Sequence, residues 1–570
     1  MEQPITEQSN PLSSNIDVAS SEEIVQILYA CDLEIFHGWK NSQGIKDKGL
    51  IDKIENLAKK ISNVIEKPGG GIVISGCGTS GRIAFLTART FNCYLKSKGK
   101  EECFQYIIAG DDKALFTSIE LAEDDPVVGA EKLNQVCKEK ASVVYIGVTC
   151  GLSAPFVAGQ LDLCLSQPEK YTPVLIGFNP VELARNLDIE KWDKTFLQVA
   201  QNLEIAEKQQ KAFILNPVIG PEPITGSSRM KSGTTTRILL EVLSLFAIQK
   251  DIKLSIEELM SMYESVCNCV YKQSHHLGSL IDLAGASLNS GGNIYYLGCE
   301  GFGLMAMIDA SECPPTYGAS FHDIRGFVTG GFSALNNNDG DLSNLGSQYQ
   351  ISVEDFEREI LPAITSDDLV VLLGEDIFQR SSKSLLDLPC KKAYVTFQWD
   401  QTSTSSTCVE FGLALSIALN APLVDRISPD CKFLVMQLLE EVSLKWVVNS
   451  LSTGAHILKG KVCQNMMIDV KVSNSKLFHR AVGIVQNYSS LSHEESCHCL
   501  LKSIYDTDIL TEEQTSAPVV SHINAASQKL MVVPVAILIA KLSCSIKSAK
   551  EMISCQPVLR KVLIQKDCSA

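Results

Sequence analysis

No apolar run in the 570-residue chain reaches the ~18 residues that a membrane span needs; the stretch 531–539 falls well short. Basic residues are scarce beside acidic ones, 50 Lys and Arg against 66 Asp and Glu, for a formal net charge of −16 at pH 7. The acids are spread along the chain, so a nucleic-acid or anionic-membrane surface is disfavoured and an anionic ligand needs a local pocket. Regular cysteine spacing is missing as well. The 20 cysteines, Cys555 and Cys568 among them, show no metal-ligand or disulfide pattern, and no cleavable N-terminal signal is evident. They are expected to be reduced, mostly buried thiols in a soluble intracellular protein, with no metal and no cofactor.

What the chain does contain is a repeat. "GCGTSGR" at residues 76–82 and "GCEGFGL" at 298–304 each follow a short apolar run, 72–74 and 294–297, and each opens a stretch with helical apolar spacing. Aligning Gly76 with Gly298 gives an offset of 298 − 76 = 222 residues, a domain-sized interval. Further strand-length apolar runs at 104–108, 143–148 and 174–178, and at 369–373 and 393–397, alternate with helical patterns. That alternation predicts two α/β lobes, each with a parallel sheet and right-handed crossovers. From about Val442 the strand signal fades and helices dominate, broken at 507–513 and Pro557. The boundaries expected are an N-terminal helical segment (1–60), a first α/β domain (61–255), a connecting helix (256–284), a second α/β domain (285–460) and a helical C-terminal domain (461–570). Ser21, before Glu22 and Glu23, is the expected start of the first helix, preceded by a loose polar segment.

The two copies are not equivalent. In the first, Gly76, Gly78 and Gly81 keep the backbone slim while Thr79 and Ser80 offer hydroxyls at a helix N-terminus, a phosphate cradle. The second puts Gly301 and Phe302 at those places, and Leu304 where Arg82 stands, but carries Glu312 where the first has Thr90. The complementary losses predict one composite site between the lobes, phosphate on the first and a carboxylate from the second. Glu312, taken alone, also fits a turn made by Pro314 and Pro315 in which local N–H groups satisfy it. Glu120 and Glu123, three apart, would share a helix face, as solvated acids do too. Thr149, Gly151 and Ser153 follow a buried strand and could supply further donors to the same anion. Ser227, Ser228 and Arg229 precede a helix expected near Thr234, where they also fit a capped N-terminus with surface charge.

"SGCGTSGR", "AEDDPVVGA", "TGSSRMKSGT" and "STGAHILKGKVCQNMMIDVKVSNSKLFHRAVGIV" resemble signature blocks of the bacterial N-acetylmuramic acid 6-phosphate etherases, which are built on sugar isomerase (SIS) domains. "DASECPPTYG" is similar to a stretch that follows the phosphate loop directly in those etherases, so the chain looks like two such subunits fused. With "LSAPFVAGQ" and "GFNPVELARN", nearly the whole chain resembles the vertebrate glucokinase regulatory protein family. The resemblance implies an α/β fold of two SIS-type doubly wound parallel-sheet domains followed by an all-α C-terminal lid. It implies a fructose phosphate bound between them and glucokinase as a partner that is bound and inhibited, fructose 6-phosphate strengthening and fructose 1-phosphate weakening the inhibition. Residence in cytoplasm and nucleus is implied too. It assigns the ligand to Thr79, Ser80, Glu123, the loop Thr149, Cys150 and Gly151, Glu312 and Lys476, with Ser153 joining them on spacing, and a kinase-facing patch to Leu423, Val424 and Asp425. Cys77 stands where that loop often has glycine, Thr149 where serine is usual, and Asp425 where a large apolar residue would continue the patch. Two enzymatic readings accompany this one: an etherase-like lyase with Glu123 and Glu312 as acid and base, and a sugar-phosphate isomerase with Glu123 as base.

Overall fold

The computed structural model describes residues 3–249, 252–399, 412–472, 475–527 and 529–567. Its first sheet contains β1 (Gly70–Gly76), β2 (Phe104–Ile108), β3 (Ser142–Val148), β4 (Tyr171–Ile176) and β5 (Phe213–Leu215), parallel throughout in the order β2-β1-β3-β4-β5. The strands read as continuous apolar runs because helices cover both faces: Ile72 and Ile74 point into one core and Val73 into another. The second sheet repeats the plan with β6 (Ile294–Gly298), β7 (Ile324–Val328), β8 (Leu369–Leu373), β9 (Lys391–Gln398) and β10 (Leu413–Ala418), in the order β7-β6-β8-β9-β10. In this topology the chain leaves β1 toward one edge and β3 toward the other. The crevice at the C-terminal ends of β1 and β3 is therefore the switch point at which ligands of doubly wound sheets bind.

Three strands escaped the sequence reading. β5 is only three residues long, β7 is interrupted in pattern by Arg325 and Gly326, and β10 is an edge strand whose residues alternate between buried and exposed. The two lobes share one core, which takes Ile83 and Leu86 from the first loop helix (Gly78–Ser97) and Met305 and Ile308 from the second (Glu300–Tyr317). Two further helices, Lys231–Ile248 and Pro429–Leu458, are buried on nearly every side, as their lack of a polar face requires. The first of them starts at Lys231, ahead of the expected Thr234.

A separate apolar core gathers residues from Cys463 to Val562 and defines the C-terminal helical body. A small antiparallel hairpin, Val462–Cys463 with Met466–Met467, precedes its helices. Among the described residues no single helix is long and apolar enough to cross a membrane; Val532–Leu542 and Ile546–Cys555 reach the composition only together, across a bend of 115°.

The N-terminal segment is anchored, contrary to expectation. Thr6, Asn10 and Ser13 are buried, Thr6 N donates to Asn179 Oδ1 at 3.2 Å, and Asn465 of the hairpin donates to Asn10 O at 2.8 Å. The first long helix, Ser21–His37, starts at Ser21 as expected and is capped by Ser20 in a capping box with Glu23.

Candidate functional site

β1 ends at Gly76, and Cys77 is the N-cap of the first loop helix with no side-chain cap bond, so the first N–H groups of the helix remain available to an acceptor. Gly78 has φ +49°, a left-handed conformation that glycine adopts without strain, and a Cβ there would lie 3.5 Å from Glu123 Oε1. Glu123 thus flanks the turn, carried on a short 3-10 segment, Glu120–Asp124; the Glu120 side chain lies outside the described residues. The loop after β3 comes from the other side. Ser80 Oγ lies 3.6 Å from Cys150 Sγ, and burial pushes the Cys150 thiol up to about 11, so it packs as a thiol and not as a nucleophile.

Thr149 Oγ1 accepts from the amides of Ser153 and Ala154 at 3.2 and 3.3 Å, which fixes the loop ahead of the helix Pro155–Ser166. Gly151 O accepts from Asn179 Nδ2 at 3.1 Å. Leu152 takes φ +54°, an unfavourable conformation for a bulky residue, so the loop is held in a strained shape. The structure therefore brings Thr79, Ser80, Glu123, Thr149, Cys150, Gly151 and Ser153 to the switch point of the first sheet.

Glu312 arrives from the second lobe. Pro314 and Pro315 lie within the helix Glu300–Tyr317 and form no turn around it, so the local reading of Glu312 fails. The residue is buried, its Oε1 has no hydrogen-bond partner, and Arg82 Nη1 is 3.7 Å away across the lobes. Arg82 is itself held by the carbonyls of Leu115 and Thr117, at 3.3 and 3.1 Å. Thr79, Asp309, Glu312, Lys445 and Asn449 line one small cavity between the lobes. Lys445 donates to Arg229 O at 2.7 Å, and burial lowers its pKa to about 8.

Arg229, for which surface charge is one of two readings, is fully buried. It donates to Asp309 Oδ1 at 2.8 Å, to Thr453 Oγ1 at 2.8 Å and to Tyr317 and Ser452 hydroxyls at 3.1 Å, so "TGSSRMK", "DASEC" and "STGAH" meet at one arginine. Lys445, Asn449 and Asp309 were missed by sequence reasoning. Lys445 and Asn449 sit in an otherwise apolar helical run, and only the helix's burial on all sides turns them inward.

The matching turn of the second lobe is closed. Phe302 packs its ring against Gly374 and edge-on to Phe397, with centroids 5.7 Å apart. A Cβ at Gly301 would collide with the carboxylate of Glu441, which Arg237 Nη2 holds at 2.5 Å. Glu300, the counterpart of Gly78, keeps the positive φ, +45°, without being glycine.

Lys476 lies in the first turn of the helix Ser475–Ser489, with its side chain outside the described residues. Leu423 and Val424 are half-buried against the main core, and Asp425 is exposed and pairs with Lys432 at 2.8 Å. They sit near the outer end of Pro429–Leu458, whose middle carries Lys445 and Asn449.

Models of three domains match the chain: the glucokinase regulatory protein N-terminal SIS domain over residues 51–165, its second SIS domain over 271–459, and its C-terminal lid domain over 464–563. The glucokinase regulatory proteins of Xenopus laevis and Homo sapiens are each 38% identical to it, over 98% and 97% of this chain and 92% and 91% of theirs. An N-acetylmuramic acid 6-phosphate etherase of Clostridium beijerinckii is 29% identical over 43% of this chain and 76% of its own length. Among solved structures, tagatose-6-phosphate ketose/aldose isomerase from Escherichia coli aligns at 13% identity with a TM-score of 0.43, covering 78% of this chain and 96% of that one. By identity across nearly its full length and by all three domains in order, the chain belongs to the glucokinase regulatory protein family.

Proposed function

We propose that the protein is a phosphosugar-sensing regulator that binds and inhibits glucokinase, with fructose 6-phosphate strengthening and fructose 1-phosphate weakening the inhibition. The observation that carries this reading is an interlobe cavity lined by Thr79 of the first lobe and by Glu312 and Lys445 of the second. The phosphate would take the open N–H groups of the first loop helix together with the Thr79 and Ser80 hydroxyls, and the loop of Thr149, Cys150, Gly151 and Ser153 would close over it. The sugar hydroxyls would reach Glu123 and Glu312, with Lys476 approaching from the base of the lid.

A ligand gripped by both lobes favours the arrangement in which both contacts are made. The helix Pro429–Leu458 runs from that cavity to the half-buried Leu423 and Val424, the proposed kinase-facing patch. Coupling of this kind is reciprocal and amounts to ~1–3 kcal/mol, or about 5- to 150-fold in affinity. Two sugar phosphates act oppositely when each favours a different state. The test is a glucokinase assay with this protein added, alone and with each fructose phosphate. Sugar-dependent inhibition supports the proposal, and undisturbed glucokinase contradicts it.

An etherase-like lyase is the second reading, because Glu123 stands beside Gly78 of the first turn and Glu312 lines the interlobe cavity together with Thr79 of the same turn. Incubation with N-acetylmuramic acid 6-phosphate separates the two: turnover supports the lyase, a thermal shift without turnover the sensor.

A further inference from the structure

Arg82 meets Glu312 through Nη1, but two other contacts aim it: Nε donates to Leu115 O at 3.3 Å and Nη2 to Thr117 O at 3.1 Å. The N–H donors of a guanidinium lie in one rigid plane, so fixing two of them leaves the third nitrogen little freedom. The direction of Nη1 is therefore set by the stretch 112–117, which follows β2 and opens with the 3-10 turn Asp112–Leu115. The chain enters this turn through Asp111 at φ +58° and ψ −167°, a backbone region that is almost glycine's alone. Such a conformation persists only where the surroundings hold it.

The second lobe holds it at two points. Asp112 is 2% exposed; its Oδ2 accepts from Asn337 Nδ2 at 2.9 Å and from Asp339 N at 2.6 Å, and its own N–H donates to Asp339 Oδ2 at 3.1 Å. Asp112 Oδ1 accepts from the Tyr106 hydroxyl at 2.6 Å, and that oxygen accepts from Asn338 N at 2.9 Å. Consecutive residues of one second-lobe loop, 337–339, thus close on a buried carboxylate of the first lobe and on the tyrosine bonded to it. Further along, Phe116 is buried with its ring centroid 5.3 Å from that of Phe332 and, edge-on, 5.6 Å from that of Tyr349, both second-lobe residues. Leu115 lies between these two anchors and Thr117 directly after the second.

We infer that the stretch 112–117 is a strap through which the second lobe positions Arg82 of the first, with Asp112 and Phe116 as positioning residues for the Arg82–Glu312 contact. Neither lines the interlobe cavity; each acts through the carbonyls of Leu115 and Thr117. A shift of the loop 337–339 relative to the first lobe carries those carbonyls with it and turns the guanidinium away from Glu312. At 3.7 Å the pair is longer than a hydrogen bond, so its strength depends on that aim. The contact therefore reports how the lobes are set before any ligand arrives. The consequence for phosphosugar affinity rests on the function proposed above; the positioning of Arg82 does not.

The test uses the full-length protein with two readouts. Without ligand, urea unfolding of Arg82→Met, Glu312→Gln and their double variant gives the coupling of the pair. The cycle is repeated in an Asp112→Ala background and in an Asn337→Ala background, the latter removing only one loop-borne hydrogen bond so that folding is spared. The coupling is expected to be lost with Asp112→Ala and reduced with Asn337→Ala; the same coupling in all three backgrounds would overturn the inference. With ligand, calorimetry is expected to show fructose 6-phosphate bound about tenfold more weakly by Asp112→Ala. Asp112→Asn, which keeps an acceptor for Asn337 and Asp339, should restore most of that affinity, and Asp112→Ala should have no further effect once Arg82 is Met. An equal loss with and without Arg82 would show that Asp112 does not act through the arginine and would also overturn the inference. Fructose 6-phosphate that fails to bind the unsubstituted protein contradicts the proposed function instead, and the ligand-free cycle then decides the inference alone.

Discussion

Arg82 Nη1 lies 3.7 Å from Glu312 Oε1, the two side chains buried on facing loop helices of opposite lobes. The contact joins the half of the repeat that kept the phosphate-loop residues to the half that lost them. Removing either charge leaves the other buried without its neighbour. Glu312→Gln is therefore expected to weaken fructose 6-phosphate binding about tenfold or more, although the residue lies in the lobe without a working turn. Isothermal titration calorimetry reads this directly, and unaltered affinity would refute the composite site.

Ser80 stands in the first turn of the first loop helix, 3.6 Å from Cys150. A bulky Ser80→Leu replaces a donor and crowds the place of a phosphate oxygen. Loss of one charge-assisted bond of ~1.5–3 kcal/mol corresponds to roughly 10- to 150-fold in affinity. The phosphosugar-induced thermal shift should vanish in this variant, while a shift of normal size would count against the first turn as the phosphate grip.

Arg229 and Asp309 form a buried pair between the lobes at 2.8 Å, and Asp309 Oδ2 has no hydrogen-bond partner. Arg229→Met leaves Asp309 unpaired and is expected to cost ~3–5 kcal/mol of stability in urea unfolding. The double variant Arg229→Met/Asp309→Leu should recover much of that loss, since the pair itself contributes little beyond an apolar contact. Strict additivity of the two substitutions would show that the residues are not coupled.

Much of this architecture is legible in the sequence. The small-residue turn that follows an apolar run, present twice 222 residues apart, marks β1 and β6 and their helices, because a strand-to-helix turn at a switch point tolerates little side-chain volume. The loss of Thr79, Ser80 and Arg82 from the second copy marks it as the silent half. What the sequence hides is direction. Arg229 follows two serines and fits a capped helix end with surface charge as well as a buried role, and it points into the lobe interface because the helix it precedes is buried on almost every side. Lys445 carries no signal in its apolar helical run and is turned inward for the same reason. β7 was hidden because Arg325 and Gly326 break its apolar run.

Lys445 gives the site a pH signature. Its folded pKa of about 8 lies below the ordinary 10.5 because burial penalises the ammonium; Glu312 and Asp309 favour the charge, and Arg229 opposes it. Below pH 8 it is charged in both folded and unfolded chains and its penalty is fully present. That penalty is relieved as pH rises from about 8 toward 10.5, so this group makes the fold more stable there. Binding of an anion responds with the opposite sign. A phosphate monoester is already close to a dianion at pH 7, so its affinity should fall roughly fivefold between pH 7 and 9 as Lys445 loses its proton. Lys445→Met should flatten this dependence, and a profile identical to the unsubstituted protein would exclude the lysine from the ligand's surroundings.

The division of labour between the halves is tested most directly by a crystal structure with fructose 6-phosphate bound. The phosphate is expected within hydrogen-bond distance of the Thr79 amide and the Thr79 and Ser80 hydroxyls, with the sugar reaching Glu312, and with the second turn still filled by Phe302 and the Glu441 carboxylate. A phosphate seated at Gly301 and Phe302, or a ligand held by the first lobe alone with Glu312 turned away, would contradict it.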